Sequence, residues 1–237
     1  MSNIFKRKNL LPRPSIANID LLALVIPLEA PEPDLYVLDK MLVIAENQDI
    51  DVKIIFTKYD LNKELGEKLK NIYENIPYDV YLSYPGNEKL LNYFREDFQD
   101  KLVCLAGPSG AGKSTLLNAI TGKKLMEVGA VSRKTQRGKQ TTRHVELFSF
   151  NSGYICDTPG FSSLSFEQAH IDAYDLEYGY KEIWEASQYC QFSSCKHIKE
   201  PKCAVKDSED IDPGRLKRYQ DARIKIDSSD KYGRRKN

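Results

Sequence analysis

The sequence predicts an α/β fold: a mainly parallel sheet flanked by helices, followed by a small helical segment built around cysteine and histidine. Three observations predict it. Short apolar runs alternate with helix-spaced segments between Leu21 and Ile120; a GxxxxGK[ST] loop joins one such strand to one such helix; and three of the five cysteines crowd with a histidine into 14 positions near the end. Strands separated by helices of this length need crossover connections, and those bring successive strands into parallel alignment.

Taken in order, Leu21–Pro27 is apolar and strand-like, Pro33–Ala45 has helical spacing, Val52–Phe56 is a second strand, and Leu61–Ile76 an amphipathic helix. Val80–Leu82 reads as strand, Glu88–Phe98 as helix, Leu102–Ala106 as strand and Lys113–Ile120 as helix. Gly129–Thr142 carries little apolar content and is expected to be a loop. Val145–Phe150 and Tyr154–Cys156 are expected to pair as a hairpin through Asn151, Ser152 and Gly153. Beyond Phe161 the strand–helix rhythm stops, and from about Tyr180 the chain becomes a helical tail carrying cysteine and histidine.

A chain of 237 residues, 41% hydrophobic, can bury the core of about one to two domains. The division expected is a basic linker at 1–20, a nucleotide-binding domain at 21–175, and a metal-binding domain with a basic tail at 176–237. No apolar run approaches the roughly 18 residues of a membrane span. The basic start at Lys6, Arg7 and Lys8 is not followed by the apolar stretch of a secretory signal. A cytoplasmic protein with no membrane partner, acting as a monomer, is the expectation. Net charge is +1, but it is segregated: five basic and no acidic residues lie between Gly129 and Arg143, and nine basic against three acidic from Gly214 onward. Two such patches point to a polyanion of the RNA type.

The phosphate loop is Gly107, Pro108, Ser109, Gly110, Ala111, Gly112, Lys113, Ser114 and Thr115, between the strand KLVCLA and the helix KSTLLNAI. Its glycines let backbone N–H groups turn onto phosphate oxygens, the helix N-terminus adds partial positive charge, Lys113 reaches the β- and γ-phosphates, and the Ser114 hydroxyl holds magnesium. Some 45 to 50 residues later, Asp157 ends an apolar strand and opens DTPG. That is the position of a second magnesium-sphere carboxylate, with Gly160 N–H placed to sense the γ-phosphate.

Upstream, Thr57, Lys58, Tyr59 and Asp60 form TKYD after the strand KIIF. A carboxylate at Asp60 can accept from both guanine N1–H and the exocyclic amine, a donor pair adenine lacks. Lys58 would lie along the base. Read alone, a TKxD tetrapeptide is more often a strand end with an aspartate helix cap, and its place in the motif series is what selects guanine here. Ser83, after VYL, stands where GTPases place a Ser-Ala pair against the base, although Tyr84 follows it here. In an ordinary GTPase the phosphate loop comes first and the guanine-reading motif last. Here that order is inverted, so the chain reads as a circularly permuted GTPase.

The cysteines divide by context. Cys104 and Cys156 lie inside apolar strands and are expected in the core, whereas Cys190, Cys195, His197 and Cys203 offer three thiolates and an imidazole, a donor set suited to one tetrahedral Zn²⁺. Disulfides are disfavoured in a reducing compartment. The tail has few apolar residues, so metal binding, worth about 10–16 kcal/mol, is expected to fold it.

From about Phe5 to Arg218, the permuted motifs, the Gly-Lys-x-Thr-Thr segment at Gly138–Thr142 and the C-x4-C-x-H-x5-C spacing resemble the ribosome small-subunit-dependent GTPase family, RsgA. The resemblance implies GTP hydrolysis to GDP and phosphate in late assembly of the small ribosomal subunit, with that subunit and its rRNA as partners. Family members begin with an OB-fold, where this sequence has IFKRKNLLPRPSIANID. RNA affinity is then expected to rest on the switch loop and the zinc tail.

A second departure is Gln140, which replaces the family's histidine in Gly-Lys-His-Thr-Thr. Phe161 after DTPG cannot orient water, so Gln140, whose amide both donates and accepts, takes that role in the catalytic set Gln140, Lys113 and Thr142, with His144 as rival. The magnesium set is Ser114, Thr142 and Asp157, with Thr141 as the alternative threonine. Other classes remain open: a zinc-dependent RNA-binding protein with negligible hydrolysis, an ATP-dependent kinase or ATPase, and a purely structural module, which explains none of the motif spacing.

Overall fold

The computed structural model describes residues 6–12, 15–126, 146–157 and 163–233. In chain order the strands are β1 (Leu10–Pro12), β2 (Ser15–Ala17), β3 (Leu21–Pro27), β4 (Asp51–Thr57), β5 (Asp79–Leu82), β6 (Leu102–Ala106), β7 (Glu146–Phe150) and β8 (Gly153–Asp157). The helices are α1 (Leu35–Glu46), α2 (Lys63–Glu74), α3 (Glu88–Asp97), α4 (Lys113–Thr121), α5 (Ala173–Tyr178), α6 (Lys181–Ser187), α7 (Ala204–Asp207) and α8 (Pro213–Gly233). They fall into two compact units, one drawn from residues 1–34 and 50–164, the other from 35–49 and 165–237.

In the first unit a six-stranded sheet runs in the order β5-β4-β3-β6-β8-β7, parallel except for the edge strand β7, which pairs antiparallel with β8. β3 lies at the centre and every one of its seven residues is buried, which is why it reads as a continuous apolar run rather than an alternating one. On one face Leu91, Phe94 and Phe98 at α3 and Leu116, Leu117 and Ile120 of α4 pack on Ala23, Val25, Val103, Leu105 and Ile155. On the other, Tyr73 of α2 meets Phe56 of β4, with ring centroids 6.1 Å apart. Successive crossovers step from β3 through β4 to β5, then return past β3 to β6. The strand order therefore reverses between β3 and β6, the kind of switch point at whose carboxyl ends open α/β sheets bind ligands.

Cys104 and Cys156 are both fully buried, as their apolar surroundings predict. They are register partners on β6 and β8, with Cα atoms 4.8 Å apart and their sulfurs in contact across the two strands. The segment expected as a plain linker contains more structure than its composition suggests. β1 and β2 pair antiparallel, and the Asn9 side chain donates to the Ile19 carbonyl and accepts from the Ile19 N–H, each at 2.8 Å.

The second unit is helical and does not follow the linear boundary at residue 175, because α1 belongs to it. Asp39 of α1, with a side chain wholly removed from solvent, accepts from Arg215 Nη1 and Arg218 Nε of α8 at 2.5 Å each. Arg215, itself buried, also donates from Nε to Glu182 of α6 at 2.6 Å and covers the Tyr180 ring at 4.8 Å. A charge in so apolar a helix is tolerable only when matched in this way. Asp39→Ala would leave a buried guanidinium short of a partner. The expected cost is about 3–5 kcal/mol, read as a lower urea midpoint by fluorescence of Trp184, the chain's single tryptophan. An unchanged midpoint would mean that the network carries no stability.

Candidate nucleotide site and metal centre

Because β3, β4, β5, β6 and β8 are parallel, the segments that follow them emerge at one edge of the sheet. TKYD continues β4, the phosphate loop continues β6, and Asp157 is the last residue of β8. The junction is direct: Thr57 Oγ1 donates to the Ala111 carbonyl of the phosphate loop at 2.6 Å. Two sequence motifs 54 positions apart thus share a hydrogen bond.

The phosphate loop has the backbone its function requires. Gly107 has φ +154°, and a Cβ there would fall on the Val25 carbonyl oxygen. Gly112 caps α4 with φ 90° and offers no side chain, so the first amides of that helix stay available to an anion. Lys113 Nζ donates to the carbonyls of Gly107 and Pro108, each at 2.9 Å, and so bends back over the loop. Burial lowers its ammonium below the ordinary lysine range, and the negative charge of Asp157 works in the opposite direction. Ser109, Gly110 and Thr115 are exposed, Ser114 half-buried and Ala111 fully buried. Gly107→Ala is expected to displace the phosphate loop from β3 and weaken GTP binding by at least tenfold in titration with a fluorescent nucleotide. Wild-type affinity would mean that the close approach is dispensable.

In the base-reading segment, Tyr59 N–H donates to the Ser83 carbonyl at 3.1 Å, so the loops after β4 and β5 are joined there. Tyr59 is fixed by its hydroxyl, which donates to Glu67 at 2.7 Å, and its ring lies 6.2 Å from that of Tyr84. Lys58, with φ 59°, donates to the Ala30 carbonyl in the loop after β3. Asp60 is exposed and does not cap α2: Asn62 does, accepting from Leu65 N–H at 3.2 Å. Sequence reasoning missed the loop after β3 as a neighbour of this site. There Ala30 receives Lys58, and Pro31 approaches Gly110. Gln140, Thr141, Thr142, His144, Gly160 and Phe161 lie outside the described residues.

In the second unit the donor atoms of Cys190, Cys195, His197 and Cys203 all lie within 4.8 Å of one another. Cys190 and Cys203 sulfurs are 3.9 Å apart, and His197 Nδ1 is 3.3 Å from Cys203 Sγ and 3.6 Å from Cys190 Sγ. Edges of about 3.5–3.8 Å are what a zinc tetrahedron with Zn–S of about 2.3 Å requires, so the donors fit that ion. Burial, joined by the neighbouring thiols, pushes the Cys195 thiol up to about 12. Thiols packed so closely ionise together only when a cation takes up their charge.

A permuted strand order, a phosphate loop touching a TKxD segment and a Cys3His cluster define a circularly permuted phosphate-loop GTPase with a metal-binding helical unit. The family model described as RsgA GTPase matches residues 4–167, and the chain belongs to that family. Small ribosomal subunit biogenesis GTPase RsgA of Bacillus subtilis is 41% identical over 225 residues, covering 93% of this chain and 74% of that protein. Its counterpart in Clostridium acetobutylicum is 37% identical over 238 residues, covering 100% of this chain and 81% of that one. The crystal structure of YloQ, described as a circularly permuted GTPase, superposes with a TM-score of 0.75 at 35% identity, over 96% of this chain and 75% of YloQ. YjeQ from Thermotoga maritima gives 0.76 at 31%, over 95% and 77%.

Proposed function

We propose that this protein hydrolyses GTP to GDP and phosphate in the maturation of the small ribosomal subunit. The observation that carries the reading is the hydrogen bond from Thr57 to the Ala111 carbonyl, which joins the base-reading strand end to the phosphate loop. Binding falls to Thr57, Lys58, Tyr59 and Asp60 at the base, and to Gly107–Thr115 at the phosphates. Magnesium, when bound with the triphosphate, neutralises charge on the β- and γ-phosphate oxygens. Ser114 and Asp157 are the residues suited to hold it from the described part of the site, with Thr142 as the third. Lys113 adds fixed positive charge where the transferring phosphoryl group becomes most negative. Gln140 orients the attacking water in line with the leaving oxygen. Zn²⁺ held by Cys190, Cys195, His197 and Cys203 folds the C-terminal segment.

The partners are GTP, GDP and the small subunit with its rRNA, met by a cytoplasmic monomer. Among the described residues no helix is long and apolar enough to cross a membrane. Hydrolysis is expected to be slow alone and to rise at least tenfold with purified small subunits, measured as phosphate release. Equal rates with and without subunits would remove the ribosome from the reaction. No hydrolysis under either condition would favour an RNA-binding protein gated by nucleotide alone.

A further inference from the structure

The metal cluster has one polar contact that its four donors do not explain. His197 is 1% exposed and presents Nδ1 to the sulfurs, so its other ring nitrogen, Nε2, faces away from them into the protein. Nε2 is buried, and Oε2 of Glu177 on α5 stands 3.4 Å from it. A histidine that gives one nitrogen to a metal carries its proton on the other, and that proton needs an acceptor if the ring is to hold one orientation. Glu177 is the group positioned to be that acceptor.

We propose that Glu177 is a positioning residue for the metal centre: its carboxylate accepts a hydrogen bond from the Nε2–H of His197, fixes the tautomer that leaves Nδ1 free to coordinate, and holds the ring against rotation. The inference rests on the zinc reading above. The carboxylate is itself placed from two sides. Tyr219 and Arg223 of α8 both address Oε2, at 3.4 and 3.5 Å. α5 begins with a capping box between Asp172 and Asp175, and at its end Gly179 lies so close to Val43 of α1 that a Cβ would come within 2.7 Å of the Val43 backbone. Glu177 therefore sits on a short helix fixed at both ends, two residues before the close contact with α1. The metal ligands are all C-terminal to α6, and this acceptor reaches them from an earlier helix.

The test is zinc affinity of the full chain, measured by competition with a chromophoric chelator, together with the visible absorption of the cobalt-substituted protein and the Nε2–H proton signal of His197. Glu177→Ala is expected to weaken zinc by about 10–100-fold, alter the cobalt bands and lose the Nε2–H signal to solvent exchange. Glu177→Gln keeps the shape and one acceptor oxygen, so it is expected to recover part of the affinity and the signal. Lys217→Ala, which removes an exposed ion pair with Asp221 along α8, is expected to leave all three readouts unchanged. Wild-type zinc affinity and cobalt spectrum in both Glu177 variants would overturn the proposal while leaving the zinc reading intact. Absence of stoichiometric metal from the wild-type protein would overturn that reading itself.

Discussion

Chelation of the metal, or Cys203→Ser, is expected to unfold the segment around residues 188–212 while the sheet unit continues to bind GTP. The reason is the shortage of apolar burial there. Between Gln188 and Asp212 the buried hydrophobic residues are Cys195, Cys203, Val205 and Ile211, and two of those four are donors of the cluster. So small a core does not by itself offset the conformational entropy of ordering the segment. Metal binding worth about 10–16 kcal/mol supplies the difference. Hydrogen exchange should show protection lost from the cluster and from the N-terminal half of α8, with β3, β4 and β6 unaffected. Unchanged protection after metal removal would show that packing alone holds the segment, and that the cysteines serve another purpose.

Asp60→Asn is expected to abolish the preference for guanine. If Asp60 accepts from two guanine donors, its loss removes two hydrogen bonds to a charged group. At about 1.5–3 kcal/mol apiece that is a fall in GTP affinity on the order of 10²–10⁴-fold. The variant carries its own control. Xanthine has a carbonyl where guanine has its amine, and the asparagine amide can donate to it, so xanthosine triphosphate should bind the variant better than GTP does. Such a result would show that the fold survived and that the pairing pattern was what changed. Were ATP to compete as well as GTP in the wild-type protein, the base-reading role of Asp60 would fail.

The first unit was legible because its signals are local. Each of the strands from β3 to β6 is a short apolar run, each helix between them has its period, and motifs at strand ends gather at one edge once the strands are parallel. Asp60 does not cap α2, because Asn62, two positions on, takes that cap. What escaped was non-local. Nothing near β1 and β2 announces three-residue strands, because Asn9 and Ile19 hold them together from ten positions apart. The placement of α1 was hidden in the same way: Asp39 finds Arg215 across 176 positions. A hint was present, since an aspartate within LYVLDKMLVIAE must be matched by something, but the sequence alone does not name the partner. Glu177 beside His197 is likewise a contact between helices rather than a motif.

The affiliation of α1 has a practical corollary. The polypeptide passes between the two compact units three times, at residues 34–35, 49–50 and 164–165, so the helical unit is not a contiguous stretch of sequence that can be cloned or deleted. A truncation that starts at residue 165 takes Asp39 away from Arg215 and Arg218 and leaves Arg215 with Glu182, while one that stops at 164 keeps Asp39 and removes both arginines. Either fragment breaks that buried ion-pair network, so point substitution in the intact polypeptide is the cleaner way to dissect the two halves.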